Sequence, residues 1–294
     1  MVIKRRLLMI LREKRKNTRY YVNSVWSERK LAKYGVGRLI HRPGTSPHVF
    51  YLQFKPAALS IPGILGYIAE AFAKRGISIL QLKISASKPL RVIVIADMKG
   101  REGVVNEICD ELRRVPYVLE AWVEPPIAEG LAVDTCSFPL TLLDQRVVVF
   151  RREVYEGLIA GGWERFGSGY GQLLYIAGFD AGRKAYIGHS QLVSDRFAQL
   201  RFAEALFQML GFGRLFFVRV DDSRLEAVAR VYDSFECELF RGAGEIRGNF
   251  IRGLIAGWLA ARWHVKKLEE ITAREVKCIA RGDEYCQYEI KAEA

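Results

Sequence analysis

Apolar and polar positions between residues 48 and 124 follow two periods, and the switches between them mark six elements. Val49 to Phe54 reads as a strand. Ile64, Leu65, Ile68 and Phe72 recur at helical spacing, which predicts a helix over 63–75 that Gly76 ends. Ile77, Ile79, Leu82, Ile84 and Ala86 mark a long strand with one slip near Leu80. Lys88-Pro89 makes a turn, and Leu90 to Ala96 is a strand too apolar to face water on both sides. Val104, Val105, Ile108, Cys109 and Leu112 fit a helix, and Tyr117 to Val123 closes with a strand. The order β-α-β-β-α-β is the ferredoxin-like split arrangement.

Residues 136–292 read differently. Leu140 to Phe150 is expected as a strand, followed by helices near 152–165, 170–187 and 191–210. Strands are expected at Arg214 to Val220, Leu225 to Val231 and Ser234 to Phe240. A helix at 248–263 carries Phe250, Ile251, Leu254, Ile255, Trp258 and Leu259 on one stripe, and a hairpin spans 274–291. Helices first and antiparallel strands later indicate an α+β domain, not a doubly wound sheet. Glu124-Pro125-Pro126 interrupts the pattern, so 125–135 is expected as a linker.

Charge changes the picture at one end. Of the net charge of +12, nearly all sits in residues 1–47, where thirteen Lys/Arg face two acids. The folded domains are close to neutral. A basic N-terminal arm of this kind suits polyanions, either nucleic-acid phosphates or an anionic membrane surface. Leu7 to Leu11 is shorter than a secretory apolar core, and no run approaches a membrane span. Five cysteines do not make a secreted disulfide framework, so a cytoplasmic protein is expected.

Pro62-Gly63-Ile64-Leu65-Gly66, followed by Ala73-Lys74-Arg75-Gly76-Ile77-Ser78-Ile79, resembles the ACT family over nearly all of 48–124. The resemblance implies a regulatory module that pairs with a second copy as a homo-oligomer, expected as a dimer. It also implies an amino acid bound at that interface by Ser60, Gly63, Ile64, Leu65 and Ile77. The family often carries Asp or Asn where Ser60 stands, and a packing module without ligand is the competing reading.

The C-terminal part resembles the 4-vinyl reductase (4VR) family of small-molecule-binding domains. Three stretches carry the resemblance: Ser234-Phe235-Glu236-Cys237-Glu238, Phe250-Ile251-Arg252-Gly253-Leu254-Ile255-Ala256-Gly257, and Glu275 through Cys286. The resemblance implies an α+β fold that binds a hydrophobic small molecule, without implying reductase chemistry. Tyr175, Phe179, His189, Phe212 and Trp258 are the candidate ligand contacts. Gly171, Gly178, Gly182, Gly253 and Gly257 thin the helices, for close packing or for space beside the rings. Aromatic stripes at helical spacing otherwise build plain core.

Cys278 and Cys286 are symmetric about Gly282, so a hairpin turning there would set them face to face. In proteins of the resembling type the matching Glu and two Cys contribute to a zinc site, whose last Cys comes from the loop before the Gly-rich helix. Here that loop, 244–249, has none, and Cys237 is the candidate substitute. A regular strand puts Glu275 and Cys278 on opposite faces, so a bulge is required. Three readings stay open: a closed structural zinc held by Cys237, Glu275, Cys278 and Cys286, a Cys278–Cys286 disulfide, or buried thiols.

Catalytic motifs are missing. Gly167-Ser168-Gly169-Tyr170-Gly171 lacks a Walker lysine, and the four His fit no metalloprotease or nucleophile spacing. The pattern favours a non-catalytic, ligand-responsive regulator. Its alternatives are a nucleic-acid-associated regulator using residues 1–47 and an enzyme acting on a tetrapyrrole or lipid.

Overall fold

A computed structural model describes residues 19–20, 31–85 and 88–293. Most of the basic arm lies outside the described residues. The protein is α+β. Its described residues divide into two compact units, one over 31–149 and one over 150–293 with Arg19–Tyr20.

In the first unit, strands β3 (Pro47–Phe54), β4 (Ile79–Ser85), β5 (Leu90–Asp97) and β6 (Val118–Glu124) form an antiparallel sheet in the order β4-β5-β3-β6. Helices α1 (Ile64–Ala73) and α2 (Val105–Arg113) intervene in the expected sequence. Phe50, Leu52 and Val94 pack with Ile68, Phe72, Ile108 and Leu112 on one face of the sheet. Gly76, with φ +65, turns the chain after α1 as a C-terminal glycine should.

Strand β5 is buried on both faces, as its continuous apolar run requires. The second face is covered by a short ribbon of β2 (Leu39–His41) on β7 (Leu131–Val133). Ala132 is fully buried there against Val49, Tyr51, Ile93 and Ile95. Residues 125–135, expected as a linker, therefore carry a strand. Asp134 fixes the ribbon: it accepts from Arg38 Nε at 2.7 Å and from the Cys136 and Ser137 N–H groups. Burial alone would raise its pKa, but these donors hold it below the usual range. The stretch expected as a strand over 140–150 is only a tight hairpin, β8 (Thr141–Leu142) and β9 (Gln145–Arg146). Its turn residues Leu143 and Asp144 both have positive φ.

The second unit is a five-stranded antiparallel sheet in the order β1-β10-β11-β13-β12, with helices on one face. Its strands are β1 (Arg19–Tyr20), β10 (Arg214–Asp221), β11 (Glu226–Tyr232), β12 (Ile271–Lys277) and β13 (Cys286–Ala292). Its helices are α3 (Arg152–Phe166), α4 (Ser168–Leu192), α5 (Arg196–Met209) and α6 (Phe250–Arg262). Residues 234–240, expected as a strand, instead turn into a 3-10 helix at Cys237–Phe240. Ser234 drives this locally: its Oγ accepts from Cys237 N and its carbonyl from Glu238 N.

Helices α4 and α6 meet backbone to backbone. A Cβ on Gly178 or Gly182 would overlap the Phe250 or Leu254 carbonyl oxygen. One on Gly253 or Gly257 would overlap the Tyr175 or Phe179 carbonyl oxygen. The four glycines are thus used for contact between the helices, the first of the two roles the sequence left open. Among the described residues no helix is long and apolar enough to cross a membrane.

Candidate functional site

Bounded by α5, β10, α6 and the end of α4 lies a cavity of about 90 Å³. Its wall includes Ala203, Leu206, Phe207 and Leu210 from α5, Phe217 from β10, and Trp258 from α6, with Phe212 and His189 completing it. Leu210, which is 43 % exposed, stands at its solvent side. An apolar cavity of roughly 150 Å³ admits benzene, so this space must widen to take a single ring.

The wall has one polar feature. Trp258 Nε1–H can only donate, and it lies 3.1 Å from His189 Nδ1. His189 must therefore accept at Nδ1. Burial pushes its pKa down to about 4, so near neutral pH the ring is uncharged and its proton sits on Nε2. The Phe202 ring braces the imidazole edge-to-face at 4.9 Å. Of the candidate ligand contacts, His189, Phe212 and Trp258 stand in the wall. Tyr175 and Phe179 do not: they face the early turns of α6, Tyr175 beneath the Arg252 guanidinium at 4.8 Å.

Arg262 is fully buried and grips Asp222 with both ends of its fork, at 2.9 and 2.8 Å, while donating to the Arg196 carbonyl. That ties the end of α6 to the start of α5. Burial would raise the Asp222 carboxyl, but Arg262 keeps it below the usual range.

Glu204, on α5, accepts from Phe217 N–H at 2.8 Å, next to the place where β10 slips register with β11. Burial pushes Glu204 up to about 7, against the pull of Phe217 N–H and Arg201. A carboxyl raised on folding keeps its proton longer in the folded state. Stability should therefore be fully present below about pH 4.5, fall as pH rises toward 7, and level off above it. Glu204→Gln accepts the same N–H without ionising. Its denaturant midpoint should match the parent at pH 4.5 and exceed it at pH 8, by roughly 3 kcal/mol in unfolding free energy. Equal midpoints at both pH values would contradict this account.

The four candidate metal ligands come together. Cys237 Sγ, a Glu275 carboxylate oxygen, Cys278 Sγ and Cys286 Sγ all lie within 4.8 Å of one another, and all four residues are buried. The required irregularity is present: β12 shifts register against β13 between Glu275 and Lys277, which turns Glu275 toward the cysteines. Cys237 enters from the 3-10 helix rather than from a strand. The sulfurs of Cys237 and Cys278 are 3.7 Å apart. Two thiolates about 2.3 Å from a tetrahedral zinc would be separated by about 3.8 Å, whereas a disulfide bond is about 2.05 Å long. All the cysteines are free.

The surroundings suit a cation. Burial, then the Cys278 charge, pushes Glu275 up to about 9, and the Cys237 and Cys286 S–H groups hold the Cys278 thiol well down. Gly248 N–H donates to Glu275 Oε2 at 3.1 Å, and Ile279 N–H donates to Cys286 Sγ at 3.5 Å. The Tyr288 hydroxyl is buried beside Glu275 without a hydrogen-bond partner. A side chain at Gly248 would strike the Glu275 carboxylate and this hydroxyl.

The sequence reading gave Glu236 no role. Fully buried, it accepts from Asn249, Phe250 and Ile251 N–H at 2.8–2.9 Å and so caps α6 from a loop. Its place beside Cys237, in the stretch that carried the family resemblance, was the available signal.

In the first unit a second cavity, of about 240 Å³, is lined by apolar residues including Phe54, Ile61, Ile64, Leu65 and Ile84, together with Gly63. Of the residues expected to hold an amino acid, Gly63, Ile64 and Leu65 border it. Ser60 is exposed outside the wall, and Ile77 is buried in the core.

The second unit thus defines an α+β domain with a partly open apolar cavity and a buried cluster able to hold a metal. No family model matches the chain. It is 30 % identical to the uncharacterized protein MJ0150 of Methanocaldococcus jannaschii over 131 residues, which make up 43 % of this chain and 68 % of that protein. The chain belongs to the family of that protein.

Three solved structures are distant likenesses. The phenol-responsive sensory domain of the transcription activator PoxR, with phenol, is 19 % identical (52 % of this chain, 79 % of that one, TM-score 0.45). A vinyl-4-reductase family protein from Methanocaldococcus jannaschii is 18 % identical (51 % and 85 %, TM-score 0.33). A trafficking protein particle complex subunit 3 from Naegleria fowleri, covalently bound to palmitic acid, is 13 % identical (49 % and 93 %, TM-score 0.36). At these TM-scores the functional reading rests on the chain's own residues.

Proposed function

We propose that the chain is a non-catalytic regulatory protein whose second unit binds a small aromatic molecule carrying one hydrogen-bond acceptor. The observation that carries this reading is the pairing of an apolar cavity with a neutral, buried His189 in its wall, whose Nδ1 is taken by Trp258 and whose Nε2 keeps its N–H. An aliphatic or aromatic wall with one placed donor is the usual form of a selective small-molecule site.

The experiment is a thermal-shift series with phenol, toluene and benzene. Phenol should stabilise most, and His189→Ala should remove its advantage over toluene, about 3- to 10-fold in affinity for one hydrogen bond. Ala203→Phe, which fills the space, should abolish all three shifts while leaving the fold intact. Shifts that survive Ala203→Phe would put the guest elsewhere and sink the reading.

The first unit is read as an ACT-like module that responds to an amino acid or pairs with a second copy. The apolar cavity at Gly63, Ile64 and Leu65 supports the former by offering room for an apolar side chain. For the cysteine cluster we favour a structural zinc on Cys237, Glu275, Cys278 and Cys286. When bound, it would neutralise the buried thiolates and cross-link the loop before α6 to the sheet. Four protein ligands leave no open position for chemistry at such an ion.

A further inference from the structure

The face of the second unit's sheet turned away from the helices carries a set of side chains that the ligand-binding reading does not use. Strand alternation sends Leu215, Phe217, Ala229, Val231 and Tyr288 into the core. The intervening positions of three adjacent strands point the other way, and aromatic and basic side chains stand there among Glu226, Val228, Gln287 and Glu289. Phe216 on β10 lies edge-on to Tyr232 at the end of β11, at 5.7 Å and 78°. Tyr232 in turn lies 5.1 Å from Tyr285, which leads into β13. Cations sit on the rings: Arg214 is 5.1 Å from Tyr232, and Arg230 and Lys277 are each 4.8 Å from Tyr285.

Two of the cations on this platform, Arg230 and Lys277, are uncompensated. Arg214 pairs with Asp233. Arg230 donates to the Gln287 side chain and Lys277 to the Tyr285 hydroxyl, and neither meets a carboxylate among the described residues. Arg219 and Arg274 extend the basic character along the same sheet, offset by Glu226 and Glu289. The three rings offer aromatic surface for unstacked bases, and the cations beside them offer N–H donors for the phosphates joining those bases. Duplexes cannot use the rings, because their bases are already stacked.

We infer that this sheet face binds single-stranded nucleic acid through the Phe216–Tyr232–Tyr285 platform and its Arg214, Arg230 and Lys277 cations. The inference is independent of the cavity and of the basic arm. The competing explanation, that cross-strand cation–π pairs only stabilise the sheet surface, predicts changes in stability with no binding.

The test is fluorescence anisotropy on the full chain. The probes are oligothymidine and oligouridine of about a dozen nucleotides and a duplex of equal length, titrated from about 50 to 200 mM salt. The single strands should bind more tightly than the duplex. Tyr232→Leu should weaken them about 5- to 100-fold with the salt slope unchanged, as for a lost stacking contact. Arg230→Ala should lower that slope by about 0.7, as for one lost phosphate contact. Should Tyr232→Leu fail to melt cooperatively, Phe216→Leu serves the same purpose. Three results would each overturn the inference: no binding at the lowest salt, equal affinity for duplex and single strand, or binding indifferent to both variants. A flexible polyanion such as polyglutamate bound as tightly as oligouridine would do so too.

Discussion

Gly257→Ala is expected to abolish cooperative folding of the C-terminal unit, whereas Gly157→Ala should be harmless or mildly stabilising. Both glycines lie inside helices, where alanine is preferred by up to about 1 kcal/mol in the absence of contacts. At Gly157, in α3, a Cβ meets nothing within 4 Å, so only that preference remains. At Gly257 the new carbon would overlap the Phe179 carbonyl oxygen and lie 2.7 Å from its carbonyl carbon. These are backbone atoms of a helix packed in the core, and no rotamer change relieves them.

The alternative is to push α4 and α6 apart by more than an ångström along their shared length. Gly178, Gly182 and Gly253 would then lose their own close contacts with the facing helix. Overpacking of flexible side chains costs roughly 1–3 kcal/mol. A rigid backbone clash with cooperative loss of a helix pair should exceed about 4 kcal/mol, a large part of a typical domain's stability. Urea unfolding of the two variants beside the parent provides the comparison. A Gly257→Ala midpoint near that of Gly157→Ala would mean that the helices are not in backbone contact.

The same glycines show how far the sequence could be read. Their spacing marked a place where helices approach or leave room, but choosing between those uses requires the partner. Close approach occurs where Gly178 and Gly182 of α4 meet Gly253 and Gly257 of α6, and the room lies further along, where Trp258 meets His189. Tyr175, Phe179 and His189 share one buried stripe of α4, so all three looked alike as cavity candidates. The stripe meets α6 first and reaches the cavity only near Ala185 and His189, a division that periodicity cannot express. The Cys278–Cys286 symmetry was legible because a hairpin is local. Glu236 was not, because a carboxylate capping a helix fourteen residues later leaves no local signature. The strand expected at 234–240 failed for a related reason: its apolar positions suit a strand, but the Ser234 side chain and carbonyl satisfy the backbone in a turn instead.

Zinc is expected at one equivalent per chain, and its loss should be the largest perturbation to stability short of breaking the helix pair. Without a cation, the cluster packs three thiols and a carboxyl into a space where burial disfavours every ionised form. A divalent ion reverses that sign. The site lies where the 3-10 helix at Cys237, the end of β12 and the start of β13 converge, and Gly248 N–H links Glu275 to the loop that begins α6. Metal release would therefore loosen the seat of α6 and, with it, Trp258 in the cavity wall. Structural zinc in small motifs contributes on the order of 10 kcal/mol of apparent binding free energy, so removing it from a folded domain should still cost several. Cys278→Ser should purify without metal and melt well below the parent. Chelation of the parent under reducing conditions should lower its melting temperature toward that of the variant, and added zinc should restore it. If parent protein expressed in zinc-replete medium contains no metal, yet melts unchanged with or without chelator, the four side chains are only a packed polar cluster.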